Sequence, residues 1–135
     1  LLKSMLPERV AAIIIKERKI LLVTGYKGTF YWTPGGRMEE KEAQEDCLKR
    51  ELLEELSVTL TSMKHYITLT LLNEIKNEKQ VNHYYLVSYK GKIKAGQEVT
   101  QFNWCSKEEI FNKKVNVSKG VEAHLIPKLI EDGYL

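Results

Sequence analysis

A glycine turn that leads into a long uninterrupted helical pattern restricts the fold of this 135-residue chain more than any other feature. The turn is the Pro-Gly-Gly sequence at 34–36, and from about Glu42 leucines recur at helical spacing. The leucine face comprises Leu48, Leu52, Leu53 and Leu56. No Gly or Pro interrupts the run before Ser57, so we predict an amphipathic helix from about 42 to 57 that packs on a core.

Three carboxylates share one face of this predicted helix. Glu51, Glu54 and Glu55 lie three and four residues apart, which stacks them one turn above another. Like charges at this spacing repel each other, so we expect a cation among them. Carboxylate oxygens suit Mg²⁺, and Mn²⁺ as a substitute, while the bare backbone of the glycine turn lets a carbonyl oxygen approach the same ion. These residues predict a divalent metal site.

The specified residues of this stretch resemble the Nudix box. That family pattern places a Gly, a Glu, an Arg-Glu pair, two further glutamates and a closing Gly at fixed spacing, with aliphatic residues between and after them. The chain matches at Gly36, Glu42, Arg50, Glu51, Leu52, Glu54, Glu55 and Val58, and departs only at the closing Gly, where Ser57 stands. An ordinary helix with a solvated acidic face is the alternative, which the number of matched positions argues against.

Ser57 occupies the position where a left-handed Gly would end the helix. A non-Gly residue in that conformation costs about 1 kcal/mol. We therefore expect either a strained left-handed Ser57 or a helix that closes in another way.

The resemblance implies Mg²⁺-dependent hydrolysis of the diphosphate linkage in a nucleoside diphosphate joined to another group. By the same resemblance Glu51, Glu54, Glu55 and the Gly36 carbonyl would hold the metal, with Glu54 also catalytic, and Arg50 would orient Glu51 with the support of Glu42. The small size of the chain favours a pyrophosphatase acting on an intact or oxidised nucleoside triphosphate. A catalytically silent nucleotide sensor or partner-binding module is the alternative, and the complete set of acids argues against it.

Further candidates lie outside the helix. Glu98 precedes Trp104 by six residues, where many members of the family carry an acid that adds a metal ligand or general base. An exposed loop acid is the equally weighted alternative. Trp32 and Tyr85 are candidates for stacking on a nucleobase, although such aromatic residues are more often core. Arg37, directly after the glycine turn, is a third candidate substrate-binding residue.

Length and composition restrict the class of protein. We expect residues 1–135 to form one domain, because the chain is long enough for a single core and short for two. The net charge of +3 is small and its lysines and arginines are scattered, which argues against duplex nucleic acid as a partner. No apolar stretch reaches the length of a membrane span. Cys47 and Cys105 are expected to be buried free thiols. We expect a cytoplasmic enzyme with a small nucleotide substrate, and a homodimer is compatible with the sequence.

The order of elements predicts an α/β (α+β) fold of the Nudix type, with a mixed sheet between helices. The runs at 8–15 and 20–24 are continuously apolar, which is typical of strands covered on both faces. Further strands are predicted at 30–33, over 58–72 as one or two strands, at 81–89 and at 99–104, with a loop at 25–29 and a polar loop at 73–80. A capping box at Ser106 predicts a helix start, and a closing helix is predicted over 118–130.

Overall fold

The computed structural model describes residues 6–25, 30–96 and 98–135. The strands are β1 (Glu8–Ile13), β2 (Ile15–Lys16), β3 (Lys19–Gly25), β4 (Gly35–Arg37), β5 (Thr59–Asn73), β6 (Glu78–Lys90) and β7 (Val99–Cys105). The helices are α1 (Gln44–Leu56), α2 (Lys107–Phe111) and α3 (Ile126–Glu131), and a π-helical turn (Val121–Leu125) runs directly into α3. The helices lie where the sequence predicts them in the order of elements, but the strands before α1 differ. The short strand β2 and strand β4 were not predicted, the predicted strand at 30–33 is not formed, and the glycine turn at 34–36 runs directly into β4.

The strands form two sheets. The larger has the order β4-β1-β6-β5, with β1 and β6 parallel and the other pairs antiparallel. The smaller has the order β2-β3-β7 and is antiparallel. The predicted mixed sheet and α+β class are confirmed. Sequence analysis did not separate the second sheet, because the apolar run at 8–15 crosses from one sheet to the other at Ile14.

The two faces of β1 pack on different cores. Val10, Ala12 and Ile14 lie in a buried cluster with α1, whose Leu48, Leu52 and Leu56 are fully buried. The alternate residues Ala11 and Ile13 belong to a second cluster with Tyr84, Val121, Leu125 and Leu129. Continuous burial along β1 therefore follows from helices on both sides, as its apolar run indicates. The division also separates the acidic helix α1 from the opposite face of the larger sheet.

Helix α1 begins two residues later than predicted and ends at Leu56. Leu53 was wrongly assigned to the buried face, since it is 60% exposed. Ser57 adopts the left-handed conformation, with φ of 60°. Its N–H bonds to the carbonyl of Leu53, and the N–H of Val58 approaches that of Leu52 at 3.4 Å. These bonds satisfy the last carbonyls of the helix although the Gly of the family pattern is missing.

Replacing Ser57 by Gly should raise stability by up to about 1 kcal/mol, because Gly adopts this left-handed conformation without strain. Thermal unfolding followed by circular dichroism would measure the shift. Ser62→Gly is the matched control, because Ser62 lies within β5, where Gly weakens a strand. We expect a higher melting temperature for the first variant and a lower one for the second. A lower value for Ser57→Gly would contradict the strain at Ser57.

Two other predictions were imprecise. The predicted polar loop at 73–80 is a tight turn over 74–77 only, because β5 continues to Asn73 and β6 begins at Glu78. The closing helix contains the π-helical turn, which local apolar spacing does not signal. The capping box is present, because Ser106 and Glu109 each bond the backbone N–H of the other. The proposed loop at 25–29 lies largely outside the described residues, and Phe30 to Thr33 contributes isolated bridges at Tyr31 and Trp32.

Candidate active site

Arg50 organises the acidic face of α1. Its guanidinium forms a two-point ion pair with Glu42, through Nε and Nη2 at 2.9 Å each. This pairing lowers the pKa of Glu42 to about 2 and raises the pKa of Arg50 further above its ordinary value. Nη1 donates to Glu51 Oε1 at 2.7 Å. Arg50 therefore ties the loop that carries Glu42 to the carboxylate of Glu51 in the fixed geometry that a guanidinium fork provides.

Glu51 and Glu55 meet beneath the glycine turn. Glu55 is only 6% exposed, and its Oε1 accepts a hydrogen bond from the N–H of Gly35 at 3.2 Å. Burial raises the pKa of Glu55 to about 8, and the positive charge of Arg9 opposes that rise. The carboxylate of Glu51 lies so close to Gly36 that an added Cβ would be 2.2 Å from its Cδ. Only a glycine at position 36 leaves room for this carboxylate.

Glu54 stands apart from the other two carboxylates. Its side chain is 61% exposed, and its Oε2 lies 3.8 Å from Arg50 Nη1. Over the described ranges, no three side chains of His, Cys, Asp or Glu are gathered closely enough to hold a metal ion. The structure brings together Glu51, Glu55 and Gly36 but leaves Glu54 at the rim. The predicted ligand set and the catalytic roles of Glu54 and Arg50 stay predictions.

The segment before β7 is anchored to the end of α1. The N–H of Lys94 donates to the carbonyl of Leu56, and that of Gly96 to the carbonyl of Glu55, both at 2.9 Å. An added Cβ at Gly96 would be 1.9 Å from the carbonyl oxygen of Glu54, so backbone contacts backbone here. Glu98 follows two residues later and is exposed. The chain therefore returns to the carboxylate helix just before Glu98, whose predicted catalytic role stays untested.

A cavity of about 110 Å³ opens on the other side of the larger sheet. Its wall includes Phe30 and Trp32, whose rings meet edge to face at 5.5 Å. Apolar residues from the end of β5, the turn after it and the π-helical turn also line the cavity, namely Leu71, Leu72, Ile75 and Val121. Its floor is polar, with Arg9, Thr33, Gln80, Asn82 and Tyr84. The remaining lining residues are Asn73, Glu74, Ser118 and Gly120. The cavity offers an aromatic wall and hydrogen-bonding groups, the combination typical of a ligand pocket.

The three predicted substrate residues are placed differently. Trp32 lines the cavity, and its predicted role in binding substrate stays a prediction. Tyr85 does not line it. Its ring faces the α1 side of the larger sheet, meets His65 edge to face, and its hydroxyl bonds to Gln44. Arg37 forms an ion pair with Glu78. Trp32 and Tyr84 therefore line the cavity, whereas Tyr85 lies on the α1 side of the larger sheet.

The sequence profile of the NUDIX domain matches residues 5–127. The chain belongs to the Nudix family. No curated protein sequence matches it. A structure described as a nudix hydrolase family member from Chromobacterium violaceum superposes with a TM-score of 0.77 at 21% identity, covering 96% of this chain and 80% of that one.

Two further structures share the Nudix fold. The solution structure of the E. coli ORF135 protein gives a TM-score of 0.76 at 27% identity, covering 98% of this chain and 96% of that one. A structure from an analysis of MutT in Aliivibrio salmonicida and Vibrio cholerae gives a TM-score of 0.74 at 19% identity, covering 93% of this chain and 98% of that one. This Nudix protein is thus a pyrophosphohydrolase of a family that acts on nucleoside diphosphate-linked substrates.

Within the described residues, no helix is long and apolar enough to cross a membrane.

Sequence reasoning missed the polar floor of the cavity in this Nudix domain. Arg9 and Asn82 were passed over as parts of predicted strands, and Gln80 as the end of the predicted polar loop at 73–80. A signal was present, because Gln80 and Asn82 are polar residues at alternate positions of a strand that is otherwise largely apolar and aromatic. Alternate positions point to one face of a sheet. Two amide side chains on a buried face indicate that hydrogen bonds are formed there, since buried polar groups need partners.

Proposed function

We propose that this Nudix hydrolase converts a nucleoside triphosphate to a nucleoside monophosphate and pyrophosphate with Mg²⁺ as cofactor, which Mn²⁺ can replace. One observation carries the proposal. A single segment of chain separates the cavity from the carboxylates, because Thr33 lines the cavity and the Gly35 N–H, two residues on, donates to Glu55. A base in the cavity would therefore place its phosphates toward the acidic helix.

The residues around the glycine turn fit a hard divalent cation. Glu51 and Glu55 supply carboxylate oxygens, Glu54 a third at the rim, and Gly36 a backbone carbonyl beside Glu51, all of the oxygen type that Mg²⁺ prefers. Burial raises the pKa of Glu55 although the positive charge of Arg9 opposes that rise, so a cation bound beside this carboxylate would favour its charged form. When bound, the ion would neutralise the diphosphate oxygens and favour attack by water.

The chain itself would position these groups. Arg50 holds Glu51 in place through its ion pair and anchors the loop through Glu42. Such outer contacts keep a carboxylate in its working orientation. Glu54, which is exposed, is free to contact water at the rim and is our candidate for the group that accepts its proton. Water then bonds to a phosphorus atom while the anhydride P–O bond breaks and pyrophosphate leaves.

The test is formation of nucleotide products from a substrate panel with Mg²⁺, together with release of pyrophosphate from the triphosphates. The panel contains the four deoxynucleoside triphosphates, oxidised triphosphates, ADP-ribose, nucleotide sugars and dinucleoside polyphosphates. We expect turnover of triphosphates, with a monophosphate as product. Preferred turnover of ADP-ribose or a nucleotide sugar would overturn the triphosphate assignment. Binding without turnover across the panel would instead support a nucleotide sensor.

Divalent metal should stabilise the folded protein. Because like-charged carboxylates share the face of α1, an ion among them relieves repulsion and shifts unfolding by mass action. We expect millimolar Mg²⁺ or Mn²⁺ to raise the melting temperature over that in EDTA at equal ionic strength. A melting temperature that is the same with Mg²⁺, with Mn²⁺ and with EDTA would contradict a metal site on this face. Na⁺ at matched ionic strength is the control for general screening.

A further inference from the structure

Arg9 is one of the residues that line the cavity floor. In the larger sheet it is opposite Arg37 of β4 on one side and Asn82 of β6 on the other. Residues in register point to the same face, so Arg9, Asn82 and its alternate neighbour Gln80 face the cavity together. All three line it. The floor thus combines one guanidinium with two carboxamides.

Among the described residues, no carboxylate lies within ion-pair distance of the Arg9 guanidinium, although its positive charge acts on the buried carboxylate of Glu55. The neighbouring arginine, Arg37, is paired with Glu78. Its Nη2 donates to the backbone carbonyl of Thr33 at 2.6 Å, and its Nη1 approaches the Thr33 hydroxyl at 3.4 Å. Both contacts come from one residue, and arginine carries five N–H donors. These contacts orient the fork and leave donors directed at the cavity.

The carboxamides are held in a fixed chain. Asn73 donates to Gln80 Oε1 at 3.3 Å, and Gln80 Nε2 donates to Asn82 Oδ1 at 3.2 Å. The Asn82 amide nitrogen in turn donates to the carbonyls of Leu69 and Gln80. Gln80 and Asn82 are 7% and 2% exposed, so their orientation is set by these bonds. This series of hydrogen bonds fixes the two carboxamides beside Arg9, which is the positively charged donor of the floor.

We propose that Arg9 determines the base preference of this enzyme and selects bases with two adjacent acceptor atoms. Cytosine offers O2 and N3, and guanine offers O6 and N7, each a match for two N–H groups of one guanidinium. Adenine places its N6 amino donor beside N1 and N7 and has no second acceptor beside N3, and thymine places N3–H between its carbonyls. Guanine oxidised at C8 carries a proton on N7 and loses that pair. The inference rests on the proposed function, with the base in the cavity.

The test compares the four triphosphates and 8-oxo-dGTP in the parent enzyme and in Arg9→Met and Arg9→Lys. The parent should prefer dCTP or dGTP over dATP and dTTP by roughly 10- to 100-fold in kcat/KM, and dGTP over 8-oxo-dGTP. Arg9→Met should bring the four values within a few-fold of each other. Arg9→Lys keeps the charge but not the fork, so it should lose most of the preference as well. Lys79→Met is the control, because Lys79 is exposed and lies between Glu78 and Gln80 on the opposite face of β6.

A binding measurement separates this inference from the proposed reaction. Quenching of tryptophan fluorescence, with Trp32 in the cavity wall, reports affinity for the four nucleoside monophosphates without metal or turnover. If the parent protein binds the four monophosphates with different affinities and Arg9→Met abolishes the differences, the role of Arg9 is supported. This holds even if no triphosphate is hydrolysed, because the absence of hydrolysis overturns only the proposed reaction.

Three results would overturn the inference. The first is a preference for adenine or thymine in the parent. The second is a base preference unchanged in a folded Arg9→Met or Arg9→Lys protein. The third is an equal loss for all four bases that Arg9→Lys restores, because that pattern marks a contact with phosphate and not with the base.

Discussion

Replacing Glu54 by Gln should lower kcat by about 100-fold or more while the protein stays folded. The change keeps the size of the side chain and removes the charge that metal binding and proton acceptance require. Glu54 is 61% exposed and makes only a 3.8 Å contact with Arg50, so its neutralisation removes little from the folded state. It also relieves repulsion on the face of α1. Steady-state kinetics and thermal unfolding measure the two effects.

Glu39→Gln is a closely matched control. Glu39 is 70% exposed and its Oε1 lies 3.8 Å from Arg50 Nε, so it shares with Glu54 both its exposure and its distance from the same guanidinium. It lies outside the positions of the Nudix box. Its loss should change kcat less than a few-fold. Comparable losses in the two variants would leave only a general electrostatic effect and would contradict a specific role for Glu54.

The acidic helix could be predicted from sequence because its signals are local. Apolar spacing and the absence of Gly and Pro located α1 to within two residues, and the capping box located α2. Leu53 shows the limit of the method. It has the spacing of a buried leucine, yet 60% of it is exposed, because the neighbouring elements cover a narrower stripe of the helix than the periodicity allows.

The cavity could not be predicted, because its floor depends on the pairing of strands that are distant in sequence. Arg9 faces the cavity beside Asn82 only because β1 pairs in parallel with β6. Nothing local in either strand indicates that register. The same register places Tyr84 in the cavity and turns Tyr85 toward α1, so the tyrosine chosen from sequence was one position away from the cavity. A one-residue difference on a strand exchanges the two faces of a sheet.

The glycine turn provides a prediction in which two adjacent substitutions have opposite consequences. An added Cβ at Gly36 would meet the carboxylate of Glu51 at 2.2 Å, and that carboxylate is the end of a flexible side chain. Gly36→Ala should therefore fold, but with Glu51 displaced from its place beside Arg50. Because a misplacement of about 1 Å can cost about 100-fold in rate, we expect a loss of kcat/KM of that order with a melting temperature within a few degrees of the parent.

At Gly35 the obstacle is backbone. Its φ is +150°, and an added Cβ would lie 2.2 Å from the carbonyl oxygen of Val10, in the buried strand with which β4 pairs. Neither the conformation nor that oxygen can adjust without moving β1, so Gly35→Ala should cost about 3 kcal/mol or more in unfolding free energy. Urea denaturation and kinetics on both variants measure the contrast. A fully active Gly36→Ala enzyme would show that activity does not depend on the position of the Glu51 carboxylate beside Gly36. Equal destabilisation by the two substitutions would show that the Cβ at position 36, like that at position 35, meets backbone that cannot move.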